Sequence, residues 1–546
     1  MSSKDKPEEQ PVGMGATLSL TPAAQKFVND IVEQGKTPEY PDEFPRVQAS
    51  KVSSSLATLY EKMRNTIDST EQHLLRRNAI YRFLRRNVIV YGIQNNLGDL
   101  LIRELVRSGY VATNTFLEQD IPKLDIITQK YLVFTDELRQ RLPQENPAQL
   151  ERWSLQLAAI ELERQLYNPS QEETLLQFAF EHLRGEIVWE DNAFTEEERD
   201  FHLYLAIHRA LFKSDHTHLE YHLLKSYCTG WEDFSVENVS EMVEHAVLHR
   251  ETAWQHIHHP LSIRLTKKVR RLTIPFQTLM DAIRLDPTKA RQRIQERDAF
   301  LVDTQQVING YYETNRKTTR RSTIRSIFFI FITKMAVALV FEIPYDLWVI
   351  DKIRYLPLGI NVVFHPVLLF MLGTFVRFPG KENTKRIIND LRDTIVEGRE
   401  KPQYHIRLQR RRSVVMGITM SLIYLITFVA VFGAIGYGLW YYDFGAVGSI
   451  LFLFFLSLVV FMGARLRTRA KHYYLVRQKE TFFGAIFEFI TNPIVEVGHW
   501  FSSKFARYNL FLFLFDIILE APFKAITYGI EEWFRFARER REEILD

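Results

Sequence analysis

The chain has one cysteine, Cys228, in 546 residues. A single thiol excludes a disulfide framework and any zinc or iron–sulfur site built on several cysteines. Neither sign of charge is in excess: 69 Lys and Arg face 66 Asp and Glu, a formal net charge of +3. A basic surplus marks nucleic-acid binders, so nucleic acid is not an expected partner. Phosphate-cradling loops are missing as well. No P-loop occurs, and Gly13–Met14–Gly15 lacks the third glycine of a dinucleotide turn. Kinase, α/β-hydrolase and HExxH patterns are absent, so catalysis is not the leading expectation. Residues 1–16 mix Lys, Glu and Pro without an apolar stretch, and no secretory signal is expected. Strand alternation is scarce, with only Tyr110–Thr115 and Tyr131–Phe134 inviting it.

What is present divides into two unlike halves. Mean hydropathy is −0.16, yet residues 326–546 hold long apolar runs while residues 1–325 are polar and helical in period. A bilayer core takes about 20 mostly apolar residues to cross. Four runs satisfy this, at about 326–348, 356–376, 413–441 and 444–464. Val414 to Tyr442 contains no charged residue. Basic loop residues orient such a chain. Arg316, Lys317, Arg320, Arg321 and Arg325 precede the first run. Arg377 through Arg410–Arg412 follow the second, and Arg465, Arg467, Arg469 and Lys471 follow the fourth. All three tracts fall on one side, which puts the N and C termini inside, in a bacterial cytoplasmic membrane.

The fold expectation is all-α: a helical cytosolic domain, a four-span membrane domain, and an interfacial amphipathic C-terminal tail. The boundaries are 1–50 for a flexible segment, 51–325 for the cytosolic domain, 326–464 for the membrane domain and 465–546 for the tail. Within the first segment Thr21 can cap a helix, Pro22 suits its first turn, and Gly35 can end it. Ala24, Phe27, Val28, Ile31 and Val32 then share one face of an amphipathic helix over 21–35. Ser170–Glu173 and Thr195–Glu198 have the form of capping boxes. Asp286–Pro287 opens a helix that can run into the first span. Phe482 to Phe536 alternate aromatics with charges, which suits helices lying in the inner interface, a re-entrant hairpin being the alternative. Asn492–Pro493 is expected to break that segment.

Three groups of residues carry candidate function. Ionisable groups inside a membrane are costly and default to a functional role. Lys334 sits near the middle of the first span, Glu342 eight residues on, and His365 in the second span beside Pro366. Lys334 and Glu342 are too far apart to pair directly, so each needs another partner, and His365 is a candidate. The second group is the histidines, of which ten of 16 fall between His202 and His259. His218 and His222 stand four apart, as do His245 and His249, a spacing that sets two imidazoles on one helix face for a shared divalent metal. The third is a basic helix with an apolar side, Arg76, Arg77, Arg82, Arg85 and Arg86, suited to an acidic partner or anionic lipid.

The leading expectation is a membrane-anchored scaffold or assembly component acting through its helical domain. Its partners would be the lipid bilayer and either another protein or further copies of the chain. Two alternatives stay open. One is an oligomeric ion channel or transporter using Lys334, Glu342 and His365. The other is a metal-binding enzyme or sensor built on His218/His222 and His245/His249.

Overall fold

The computed structural model describes residues 17–36, 45–47, 72–87, 96–192, 194–399, 402–408, 414–475 and 482–507. Gly13–Gly15, Arg410–Arg412 and the tail beyond Arg507 lie outside the described residues. The described residues are mostly helical, 81% of them, and the chain divides into two compact units. Unit 1 is Met1–Ile308 with Glu382–Arg410, and unit 2 is Asn309–Lys381 with Arg411–Asp546. The parting point differs from the expected one at residue 325. It also draws the connection after the second span, 382–410, into the first unit.

Unit 1 begins with α1 (Pro22–Gln34), whose start follows the sequence closely. The Thr21 hydroxyl accepts from the Ala24 amide at 3.3 Å, Pro22 opens the first turn, and Ala24, Phe27, Val28, Ile31 and Val32 are buried. There follow α2 (Gln72–Arg86), α3 (Leu97–Arg107), α4 (Ile121–Arg141), α5 (Pro147–Leu166) and α6 (Ser170–Glu186). Next come α7 (Glu196–Phe212), α8 (His216–Tyr227), α9 (Val239–His258), α10 (Pro260–Leu272), α11 (Ile274–Leu285) and α12 (Ala290–Gln295). The Thr195–Glu198 capping box forms in full at the head of α7. The expected box at Ser170 does not. Its helix begins one residue earlier than a Ser170 cap requires, and the Asn168 side chain takes the Ser170 amide at 3.0 Å instead.

Two apolar cores hold this unit. One gathers α2 to α5 with α8 and α9 around Tyr131, Phe134 and Trp231. The other joins α1, α6, α7, α10 and α11 to Leu391, Ile395, Ile406 and Leu408 of the returning segment. That segment supplies α16 (Lys381–Ile395) and β2 (Tyr404–Ile406), and β2 pairs in parallel with β1 (Ile187–Trp189). Neither stretch expected to alternate is a strand: Tyr131–Phe134 lies inside α4, and Tyr110–Thr115 is turn and coil. Burial against a helical core overrides β propensity at Tyr131 and Phe134.

A long helix, α13 (Arg297–Val337), passes through a π turn at Ala338–Glu342 into α14 (Ile343–Val349). Unit 2 takes it from Asn309 on and adds α15 (Tyr355–Thr374), α17 (Val414–Tyr441), α18 (Ala446–Ala470) and α19 (Phe482–Arg507). Four of these helices are long and apolar enough to cross a membrane: Arg297–Val349, Tyr355–Thr374, Val414–Tyr441 and Ala446–Ala470. α18 is the most enclosed, and the apolar window of α17 has no buried residue. α19 runs antiparallel along α18, with Arg467 facing Glu488 at 3.5 Å and Phe454 edge-on to Phe501 at 4.9 Å. Gly498 permits this approach, because a Cβ there would strike the Ser457 carbonyl. Contrary to expectation, α19 continues through Pro493.

Candidate functional site

Unit 2 contains a cluster of fully enclosed polar side chains. Lys334 is 2% exposed, Glu342 5%, and Asn361 and His365 0%. Pure α geometry would leave Lys334 and Glu342 roughly 80° apart around the helix, since each residue turns through about 100°. The π turn between them is wider, so each of its residues turns less. Both side chains thereby face α15 and α18. Lys334 Nζ lies 3.1 Å from His365 Nδ1, and Asn361 Nδ2 donates to Glu342 Oε2 at 2.7 Å. Each ionisable group of the first span therefore has its own partner on the second.

His365 is held on three sides. Its Nδ1 is also 3.1 Å from the Asn361 carbonyl, and its Nε2 is 3.1 Å from the Phe452 carbonyl on α18. Phe455 offers its ring face to the Lys334 ammonium at 4.6 Å. Gly448 leaves room for Glu342, because a Cβ there would come within 2.8 Å of Oε1. Beyond Glu342, Asp346 pairs with Arg354 at 2.8 Å, and Arg354 donates to the Asp443 carbonyl at 3.2 Å. In the other direction the same helix presents Ile327 and Ile330. These pack with Leu369, Leu372, Val459 and Leu466 in a closed apolar layer. Asn361 is the member the sequence reading gave no role: its side-chain amide holds Glu342, and its backbone carbonyl faces His365.

In unit 1 the histidine pairs separate. His208, His218 and His222 bring one ligand atom each to within 4.8 Å of one another, the sole such group of three among the described residues. His245 and His249 stay on α9, where His249 stacks on Tyr227 at 5.0 Å. The expected four-histidine site does not assemble. The missing signal was the bend after α7. Lys213 adopts a left-handed φ of 52°, so α8 starts after only three residues, capped by Asp215 through the His218 amide at 3.0 Å. This brings the last turn of α7, with His208, over the first turns of α8. Arg77 clamps Asp215 through two hydrogen bonds of 2.6 and 2.5 Å.

Burial keeps these imidazoles neutral. It pushes His208 down to about 3, with Arg164 and His73 adding to the effect, and holds His218 and His222 well below the usual histidine range. His202, buried beside His256 and His259, is pushed down to about 4.

The basic helix is largely spoken for within unit 1. Arg76 pairs with Glu163 at 2.9 Å, Arg77 with Asp215 and Arg86 with Glu104, while Arg82 is half-buried and Arg85 exposed. α1 likewise buries its apolar face in its own unit.

The chain matches no protein-family model, no curated protein and no solved structure.

Proposed function

We propose that unit 2 is a proton-handling membrane module, acting as an oligomeric channel or transporter in which Lys334 and His365 share one proton. The arrangement around His365 carries this reading. With the proton on Lys334, the ammonium donates to Nδ1 and a neutral imidazole donates from Nε2 to Phe452. With the proton on His365, Nδ1–H donates to the Asn361 carbonyl or to the Lys334 amine, and Nε2–H still donates to Phe452. Both states keep a hydrogen bond between Lys334 and His365 and one from Nε2 to Phe452, so the transfer strands neither ring nitrogen. Asn361, Glu342, Asp346 and Arg354 extend the polar line toward the 350–354 connection. The Ile327–Ile330 layer closes it on the other side. A polar line that runs toward one connection and ends against an apolar layer on the other side suits gated access.

Two features support the transmembrane topology. Residues before the first span and after the second belong to one compact unit, as two crossings would require. The 350–354 and 442–445 connections meet through Arg354 and Asp443. On this reading unit 1 and both termini are cytosolic, in a bacterial cytoplasmic membrane, and α19 is a re-entrant hairpin arm. The scaffold role ranks second, because the helices that suggested docking, α1 and α2, spend most of their contacts within unit 1.

The test is proton movement into vesicles reconstituted with the full chain, under imposed pH gradients and potentials of both signs. Uptake is expected, falling at least tenfold in Lys334→Met and in His365→Phe. No flux under any gradient, or unchanged flux in Lys334→Met, would sink the reading and return the scaffold role to first place.

A further inference from the structure

We infer that His208, His218 and His222 form a binding site for one divalent first-row transition ion of the zinc class, with three imidazole ligands and a position left for water. Three protein ligands and an open place is the arrangement that lets such an ion do chemistry or exchange, as opposed to a closed four-ligand structural site.

Several independent features of the geometry fit. The Nδ1 of His208 is 2.8 Å from the Ser214 hydroxyl, which fixes the ring and leaves Nε2 for the ion. The Nδ1 of His218 is buried with no hydrogen-bond partner. A buried unmet nitrogen costs stability unless something meets it, and a metal ion does so. The rings are spaced for a shared ligand, with His218 and His222 centroids 5.1 Å apart and His208 and His222 4.4 Å apart.

The surroundings are also prepared. Two of the nearby cations are already paired. Arg77 is paired with Asp215, and Arg164 with Glu173 at 2.7 Å and Glu232 at 2.9 Å. His222 lines a cleft of about 600 Å³ between α1, α6 and α8, which also exposes Asp30, Glu173 and Glu181. That cleft gives an ion a way in past a mixed lining, in which Lys26 and Lys225 stand beside the carboxylates. The site lies wholly in unit 1, so it stands or falls apart from the proton-handling reading of unit 2.

The experiment uses the full chain, purified in a bilayer mimetic, stripped by chelator and titrated with Co²⁺ and then Zn²⁺. One Co²⁺ per chain with a four-coordinate visible spectrum is expected, displaced by one Zn²⁺. His222→Gln should weaken binding at least tenfold while helical circular dichroism is retained, and His249→Gln should leave it unchanged. X-ray absorption at the zinc edge of the unaltered protein needs no variant, and three imidazoles with one oxygen are expected there. Less than one ion bound, a shell without histidine, or equal loss in His249→Gln would overturn the inference.

Discussion

The molecule buries two lysines to the same extent, Lys130 in unit 1 and Lys334 in unit 2, each 2% exposed. Their surroundings differ in kind. Lys130 meets the carboxylate of Glu161, which also accepts from the Tyr131 hydroxyl at 2.8 Å. A second bond goes to the Glu232 carbonyl at 3.2 Å, and the Phe234 ring lies 4.2 Å away. Lys334 meets a neutral base instead. A carboxylate pins a proton to the ammonium, because losing it would leave a bare buried anion. A neutral imidazole brings no charge to hold the proton and has a lone pair that can accept it. One lysine is therefore part of the framework of its core, and on the proposed reading the other is placed where its proton can move.

This contrast can be broken most forcefully at Lys130. Lys130→Met leaves Glu161 enclosed without its cation, and the expected loss of stability is about 3–5 kcal/mol. Lys334→Met leaves a neutral histidine with two carbonyls still in reach, and about 1 kcal/mol or less is expected. Denaturant unfolding of the two variants side by side measures the difference. Equal losses would mean that Lys334 is as structural as Lys130.

Acid sharpens the comparison from the side of unit 1. An unfolded histidine titrates near 6.5, whereas folded His208 is pushed down to about 3. Between those values the unfolded chain takes up a proton that the folded chain refuses, so stability falls as pH drops from 6.5 toward 3. At pH 5 the His208 contribution is a loss of about 2 kcal/mol. Denaturation midpoints at pH 7 and pH 5 should show it, with a smaller difference in His208→Asn. The smallest effect is expected at the surface. Arg86 and Glu104 are both more than a third exposed, and Arg86→Ala should change stability by about 0.5 kcal/mol or less. A larger loss there would show that the basic helix depends on that pair.

How far the sequence discloses this arrangement depends on the range of the interactions. α1 was legible because its cap, its first-turn proline and its apolar face all lie within fifteen consecutive residues. The four apolar helices were legible for the same reason, length and composition being local. The β1–β2 pairing was not, since each strand has three residues and the partner lies far along the chain. The return of 382–410 to unit 1 was hidden in the same way. Its basic residues dominate the composition, while Leu391, Ile395, Ile406 and Leu408 do the packing. At the candidate sites, the His218–His222 spacing could be read, but His208 depended on a left-handed Lys213. Nothing in a lysine's chemistry announces that conformation. Asn361 was visible as a polar residue in an apolar run, but its bond to Glu342 depended on a π turn that no local pattern signals.

That turn also bears on how relatives of this chain should be compared with it. A π turn is an α-helix with one residue too many, accommodated by a local widening. A relative with an unbroken helix here is expected to be one residue shorter between Lys334 and Asp346. A single-position gap in an alignment therefore belongs at Ala338–Glu342, and closing it elsewhere in the span would swing Asp346 roughly 100° away from Arg354.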